Sequence, residues 1–135
     1  MKKDRNLPFL IVSIVICSCH SMATKFNEAI WHDKSGSYVI SENMADSCNT
    51  LSLITRDQNY MRLKCVMRIG DDDHFIIAET KSVDRGLQYW IINKEKDRID
   101  LTADHITEGP YNLTDFTKRE IELGIQNLTF QKVNE

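Results

Sequence analysis

The chain has little that bends or breaks structure: 5 Gly and 2 Pro in 135 residues. That scarcity excludes a collagen-like chain and low-complexity disorder. A basic surplus is missing too. With 17 Lys and Arg against 20 Asp and Glu the formal charge is -3, which removes the footprint expected of a generic nucleic-acid binder. A hydrophobic share of 41% beside 27% charged residues excludes a polytopic membrane protein. The length fits one small domain.

Signatures of chemistry are absent in the same way. No Ser stands in a GxSxG elbow, and no Cys has a recognisable catalytic neighbourhood. There is no phosphate loop and no dinucleotide fingerprint. His32, His74 and His105 share no HxxxH or HExxH spacing, so a zinc site would have to be assembled entirely by the fold. Asp71-Asp72-Asp73 before His74 is the densest polar cluster. Contiguous acids do not match the D-x-D-x-D-G spacing of a calcium loop, and the cluster reads as a solvated hairpin tip. The expectation is a protein without catalytic residues, metal or cofactor.

What is present begins with an address. Lys2, Lys3 and Arg5 precede the uncharged run Leu7 to Cys19, LPFLIVSIVICSC. Thirteen residues at the helical rise cover about 20 Å, short of the roughly 30 Å bilayer core. A basic start, a short apolar stretch and small residues after it form the pattern of a secretory signal peptide. Two processing routes fit. Ser21-Met22-Ala23 has small residues where an ordinary signal peptidase reads, giving a mature start at Thr24. Alternatively, Ile16-Cys17-Ser18-Cys19 resembles a bacterial lipobox, with Cys19 the lipidated residue, although Cys17 departs from the usual small residue. The domain division is then a signal peptide over 1–23 (or 1–18 for a lipoprotein) and a single α+β domain over 24–135. Removal of residues 1–23 takes three basic residues and Asp4, leaving 14 basic against 19 acidic and a formal charge of -5. An acidic exported domain favours a basic partner.

Both routes leave Cys48 and Cys65 as the internal pair, an even number in an oxidising compartment. A bridge between them closes a loop of about 17 residues, worth roughly 3 kcal/mol in the chain-entropy model. The alternative is two buried thiols.

Patterning predicts strands first, then one helix, then a last strand. Ser37–Ile40, Leu51–Thr55 and Tyr60–Ile69 read as strands. Gly70-Asp71-Asp72-Asp73 is a turn cluster leading into His74–Ala78, a hairpin signal. A second hairpin joins Phe75–Lys81 to Leu87–Asn93 through Val83-Asp84-Arg85-Gly86, and the aromatic and β-branched residues of its second arm suit a pleated surface. Leu113–Leu123 is the helix, with Asn112 as N-cap, Asp115 in the first turn and Gly124 as the stop. Leu113, Phe116, Ile121 and Leu123 are expected to face a sheet. Leu128–Val133 alternates as a final strand. The predicted fold is α+β: an antiparallel β-sheet meander with one C-terminal helix packed on it and a closing strand.

Tyr89-Trp90-Ile91-Ile92, Gly109-Pro110-Tyr111, Phe116, Arg119, Leu123, Ile125 and Leu128-Thr129-Phe130 occur in an order that resembles the C-terminal half of small bacterial lipoproteins and secreted proteins carrying a domain of unknown function. The resemblance runs from about Phe75 to Phe130. It implies a place in the bacterial cell envelope, periplasmic or lipid-anchored, and no activity. Gly109-Pro110 is expected to turn the chain ahead of the helix.

Small, exported, acidic, disulfide-stapled and without evident chemistry, the protein reads as a non-enzymatic envelope protein that binds another protein. The concrete form is an immunity-type inhibitor of a secreted toxin, its acidic face plugging a basic cleft. Trp31 and Tyr60 are the candidate aromatic contacts, with Asp71, Asp72 and Asp73 as the acidic ones. Two alternatives stand beside it: a passive structural or assembly lipoprotein held to a membrane through Cys19, and a small hydrolase or ligand-binding module.

Overall fold

A computed structural model describes residues 29–43 and 47–133. The segment expected to be a signal peptide, and Cys19 in it, lie outside the described residues. The chain is mainly antiparallel β with short helices. Four strands, β1 (Ala29–His32), β2 (Tyr38–Asn43), β3 (Cys48–Ile54) and β4 (Asn59–Leu63), pair in chain order as a first sheet. β5 (Val66–Asp71), β6 (Phe75–Ser82), β7 (Gly86–Asn93) and β8 (Thr107–Tyr111) do the same in a second, whose β5 edge is extended by β9 (Gln131–Lys132). One helical turn, α1 (Ala103–Ile106), precedes β8, and α2 (Leu113–Leu123) follows it.

The expected single sheet is thus divided in two, and the division falls inside a segment that reads as one strand. Tyr60–Ile69 breaks at Lys64-Cys65, where Cys65 takes a positive φ of 56°. Cys65 is bonded to Cys48 at the start of β3, with their Cα atoms 4.7 Å apart. Apolar residues on both sides of the break hide it in the sequence, because β4 and β5 each need an inward face.

Three layers result. Tyr38, Ile40, Leu51 and Leu63 of the first sheet meet Val66, Ile69, Ile76, Ala78 and Ile92 of the second in one core. A second core, Ile77, Tyr89, Ile91, Phe116 and Ile125, lies between the second sheet and α2. The five-stranded sheet is therefore the middle layer. That is why Phe75-Ile76-Ile77-Ala78 is continuously apolar: successive side chains point to opposite faces and both faces are covered.

Asn112 caps α2 by accepting from the Asp115 N–H at 2.8 Å, and Gly124 ends it in the left-handed conformation. The face differs from expectation. Phe116 is buried, Arg119, Glu120 and Leu123 are half-buried, and Leu113 and Ile121 are exposed. The inward stripe follows i, i+3, i+4, i+7 from Phe116, which leaves Leu113 and Ile121 off it. Gly109-Pro110 is also not a turn: both residues lie in β8, an edge strand whose pairing with β7 is bulged between Tyr89 and Ile91. An edge tolerates Pro because its missing N–H can face away from the ladder. A Cβ on Gly109 would come within 2.7 Å of the Tyr89 carbonyl oxygen. The closing strand is shorter than Leu128–Val133, with only Gln131 and Lys132 paired to β5.

Candidate functional site

β1 and β5 end at the same side of the molecule, and the turns that follow them build an open groove. Trp31, His32, Asp33 and Lys34 form one wall, and Asp71, Asp72 and Asp73 the other, around about 500 Å³. A second opening of about 390 Å³ shares Lys34 and Asp73 and continues past Tyr38, Lys94 and Asp97.

The floor is a set of buried charges. The Asp33 side chain is fully buried and accepts from the Tyr38 N–H at 3.0 Å, Ser35 Oγ at 2.7 Å and Lys94 Nζ at 3.0 Å. Burial alone would raise this carboxyl; the bonds from Tyr38, Ser35 and Lys94 outweigh it and hold the group below its ordinary value. Lys94 also reaches Asp71 Oδ2 at 3.2 Å. Next to it, Arg62 grips Asp97 through Nη2 to Oδ1 at 2.7 Å and Nε to Oδ2 at 3.0 Å, both side chains out of water. Tyr38 Oη donates to Asp97 Oδ2 at 2.7 Å. Burial, then the Asp97 bond, pushes the phenol well above its ordinary range.

The surface above this floor is more adaptable. Asp72 Oδ1 accepts from the N–H groups of His74 at 2.8 Å and Phe75 at 2.7 Å, closing the β5–β6 turn, while Asp73 is exposed. His74 Nδ1 lies 2.8 Å from Glu95 Oε1. Trp31 is half-buried and packs on the rim of the inter-sheet core. The groove offers an aromatic edge beside several carboxylates, an arrangement suited to a cationic group. Asp33 and Asp97 are saturated by their partners and are poorly placed to move protons.

Of the residues singled out from sequence, Trp31, Asp71, Asp72 and Asp73 come together here. Tyr60 does not line the groove; it is half-buried on the edge strand β4, its hydroxyl donating to Gln58 Oε1 at 2.9 Å. Among the described residues no three His, Cys, Asp or Glu side chains are gathered as metal ligands. His32 lines the groove, while His105 lies elsewhere with its Nδ1 2.7 Å from Thr102 Oγ1. Sequence reading missed Asp33, Lys94, Arg62 and Asp97. Their pairings span 61 and 35 residues, and no local pattern marks them.

A family model described as a protein of unknown function (DUF3997) matches residues 28–134. The chain belongs to that family. The match spans both sheets and α2, and supports a domain of unknown function across nearly all of the described residues. No curated protein and no solved structure matches the chain.

Proposed function

We propose that the protein is an exported envelope protein that acts by binding a basic protein partner in the groove between Trp31–Lys34 and Asp71–Asp73, without catalysis of its own. The observation that carries the reading is the convergence of Trp31 with three consecutive aspartates at one end of the molecule. Aromatic anchors beside desolvated charge are the usual sources of binding energy, and a negative surface steers a basic partner toward it. The leader pattern and the Cys48–Cys65 bridge support an oxidising destination. An immunity-type inhibitor, its groove gripping a lysine- or arginine-rich surface of a toxin, is the concrete form of this proposal. Attachment to the membrane through Cys19 is compatible with it.

The test is capture from the envelope fraction of its own cells by the tagged full chain, with stoichiometry by mass spectrometry and the captured protein's enzymatic activity assayed with and without the binder. One basic partner at equal stoichiometry, released at high salt and inhibited in the complex, is the expected result. No partner above background would remove the reading. A substitution Trp31→Ala that leaves affinity unchanged would remove the aromatic contact from it, and Tyr60→Ala, outside the groove, should leave affinity unchanged.

A further inference from the structure

The two ends of the domain differ in character. One carries the acidic groove. The strands that leave it converge on the other, where Ala29 pairs with Ser41 and Asn43 pairs with Cys48. Cys48 is bonded to Cys65, whose carbonyl accepts from the Lys81 N–H at 3.3 Å, just before the β6–β7 turn. The first described residue of β1, the disulfide and the turn from Ser82 to Gly86 therefore share one end. At that turn Val83 is fully exposed, and Leu87 behind it is exposed as well. Lys81 and Arg85, both exposed, flank them; Asp84 is the acid of the turn itself, and the exposed Asp104 lines the surface beside Lys81 and Val83.

We propose that this tip docks on the surface of an anionic membrane, which holds the acidic groove away from the bilayer. Val83 and Leu87 would enter the headgroup boundary. The stems of Lys81 and Arg85 would lie along it, with their charges at lipid phosphates. At the opposite end Asp33 and Asp97 are neutralised by Lys94 and Arg62, while Asp71, Asp72, Asp73 and Glu95 outnumber Lys34 around the groove, so an anionic surface repels that end and charge and apolar exposure select the same orientation. The tether rests on the lipoprotein reading of Cys19. Residues 20–28 reach at most about 30 Å when extended, so a lipid on Cys19 would keep Ala29 within that distance of the bilayer and leave the choice of end to the tip.

The experiment uses the full chain recovered from a bacterial host and reconstituted in vesicles of phosphatidylcholine and phosphatidylglycerol, part of the phosphatidylcholine being brominated. One sample carries Val83→Trp, a second Asp73→Trp, a third neither. Mass spectrometry of the N-terminal peptide reads the state of Cys19. The expected result is a blue-shifted, bromine-quenched emission added by Trp at position 83 and an unquenched emission added at position 73. A lipidated Cys19 with no quenching at position 83, or with stronger quenching at 73, overturns the docking and leaves the tether intact. An unmodified Cys19 removes the tether; quenching at 83 by vesicles then still supports the docking, and its absence overturns both. A blue shift at 83 produced by an envelope protein and not by vesicles also overturns it.

Discussion

Lys94 donates to Asp33 at 3.0 Å and to Asp71 at 3.2 Å, so one ammonium joins the loop after β1 to the end of β5 and ties the two sheets together beneath the groove. Its side chain is largely buried and that of Asp33 fully so. Substitution Lys94→Met leaves the Asp33 carboxylate buried without its cation. Breaking a buried pair from one side costs about 3–5 kcal/mol, and the lower part of that range is expected because Tyr38 N–H and Ser35 still donate. Urea denaturation measures it.

Acid should loosen the fold at three separate sites, one of them the Asp33 pair. Asp33, Glu79 and Glu108 are all held below their ordinary values of 3.8, 4.5 and 4.5 in the folded state. For Glu79 the Arg68 bond is the main cause; for Asp33 and Glu108 hydrogen bonds overcome a burial effect of opposite sign. A depressed folded value means stability is fully present above the ordinary value and is lost as pH falls through the folded one. Glu120, raised by burial, acts in the opposite direction. The urea midpoint is expected to stay level down to about pH 5 and to fall below about pH 4, with a shallower fall in Asp33→Asn.

The Cys48–Cys65 bridge closes a separation of 17 residues across the crossover between the sheets. Loss of the bridge should cost about 3 kcal/mol. Cys48→Ser, Cys65→Ser and the double variant should be destabilised equally, because each removes the same bond. Denaturation curves with and without reductant check this: reductant should lower the wild type and leave the variants unchanged.

Two glycines should respond differently to alanine. At Gly70 a Cβ would lie 2.4 Å from the Thr129 carbonyl oxygen and 3.1 Å from Ile77 Cγ1, so Gly70→Ala forces the 125–130 segment off β5 at a cost of about 3 kcal/mol. At Gly36, φ is +74° but the space is open, and alanine should cost only the left-handed backbone penalty of about 1–2 kcal/mol. Thermal or urea denaturation distinguishes the two.

The helix and the groove show what the sequence could and could not convey. Asn112 and Gly124 mark the ends of α2 because caps are local chemistry. The inward face was misread at Leu113 and Ile121, since apolar character alone does not fix a stripe that also carries Arg119 and Glu120. Arg119 is held there by Glu108 of β8, a partner eleven residues away in another element. Phe116→Ala should therefore cost about 3–4 kcal/mol while Ile121→Glu stays within about 0.5. In the groove, Asp71, Asp72 and Asp73 stood out because they are adjacent. That Trp31 would join them, and that Lys94 would lie beneath, depends on how two sheets pack. No window of sequence contains that relation. The same is true of the break at Cys65, where a two-sheet fold passes through a stretch whose hydrophobicity is continuous.

The most direct test of the account is the affinity of the captured partner for Asp73→Lys in the full chain. Asp73 is exposed, so the reversal changes the charge of the groove without touching the buried pairs. The account predicts a loss of about tenfold or more, with a reduced dependence of binding on salt. Unchanged affinity in a variant that keeps the wild-type denaturation curve would place the binding surface elsewhere and contradict it.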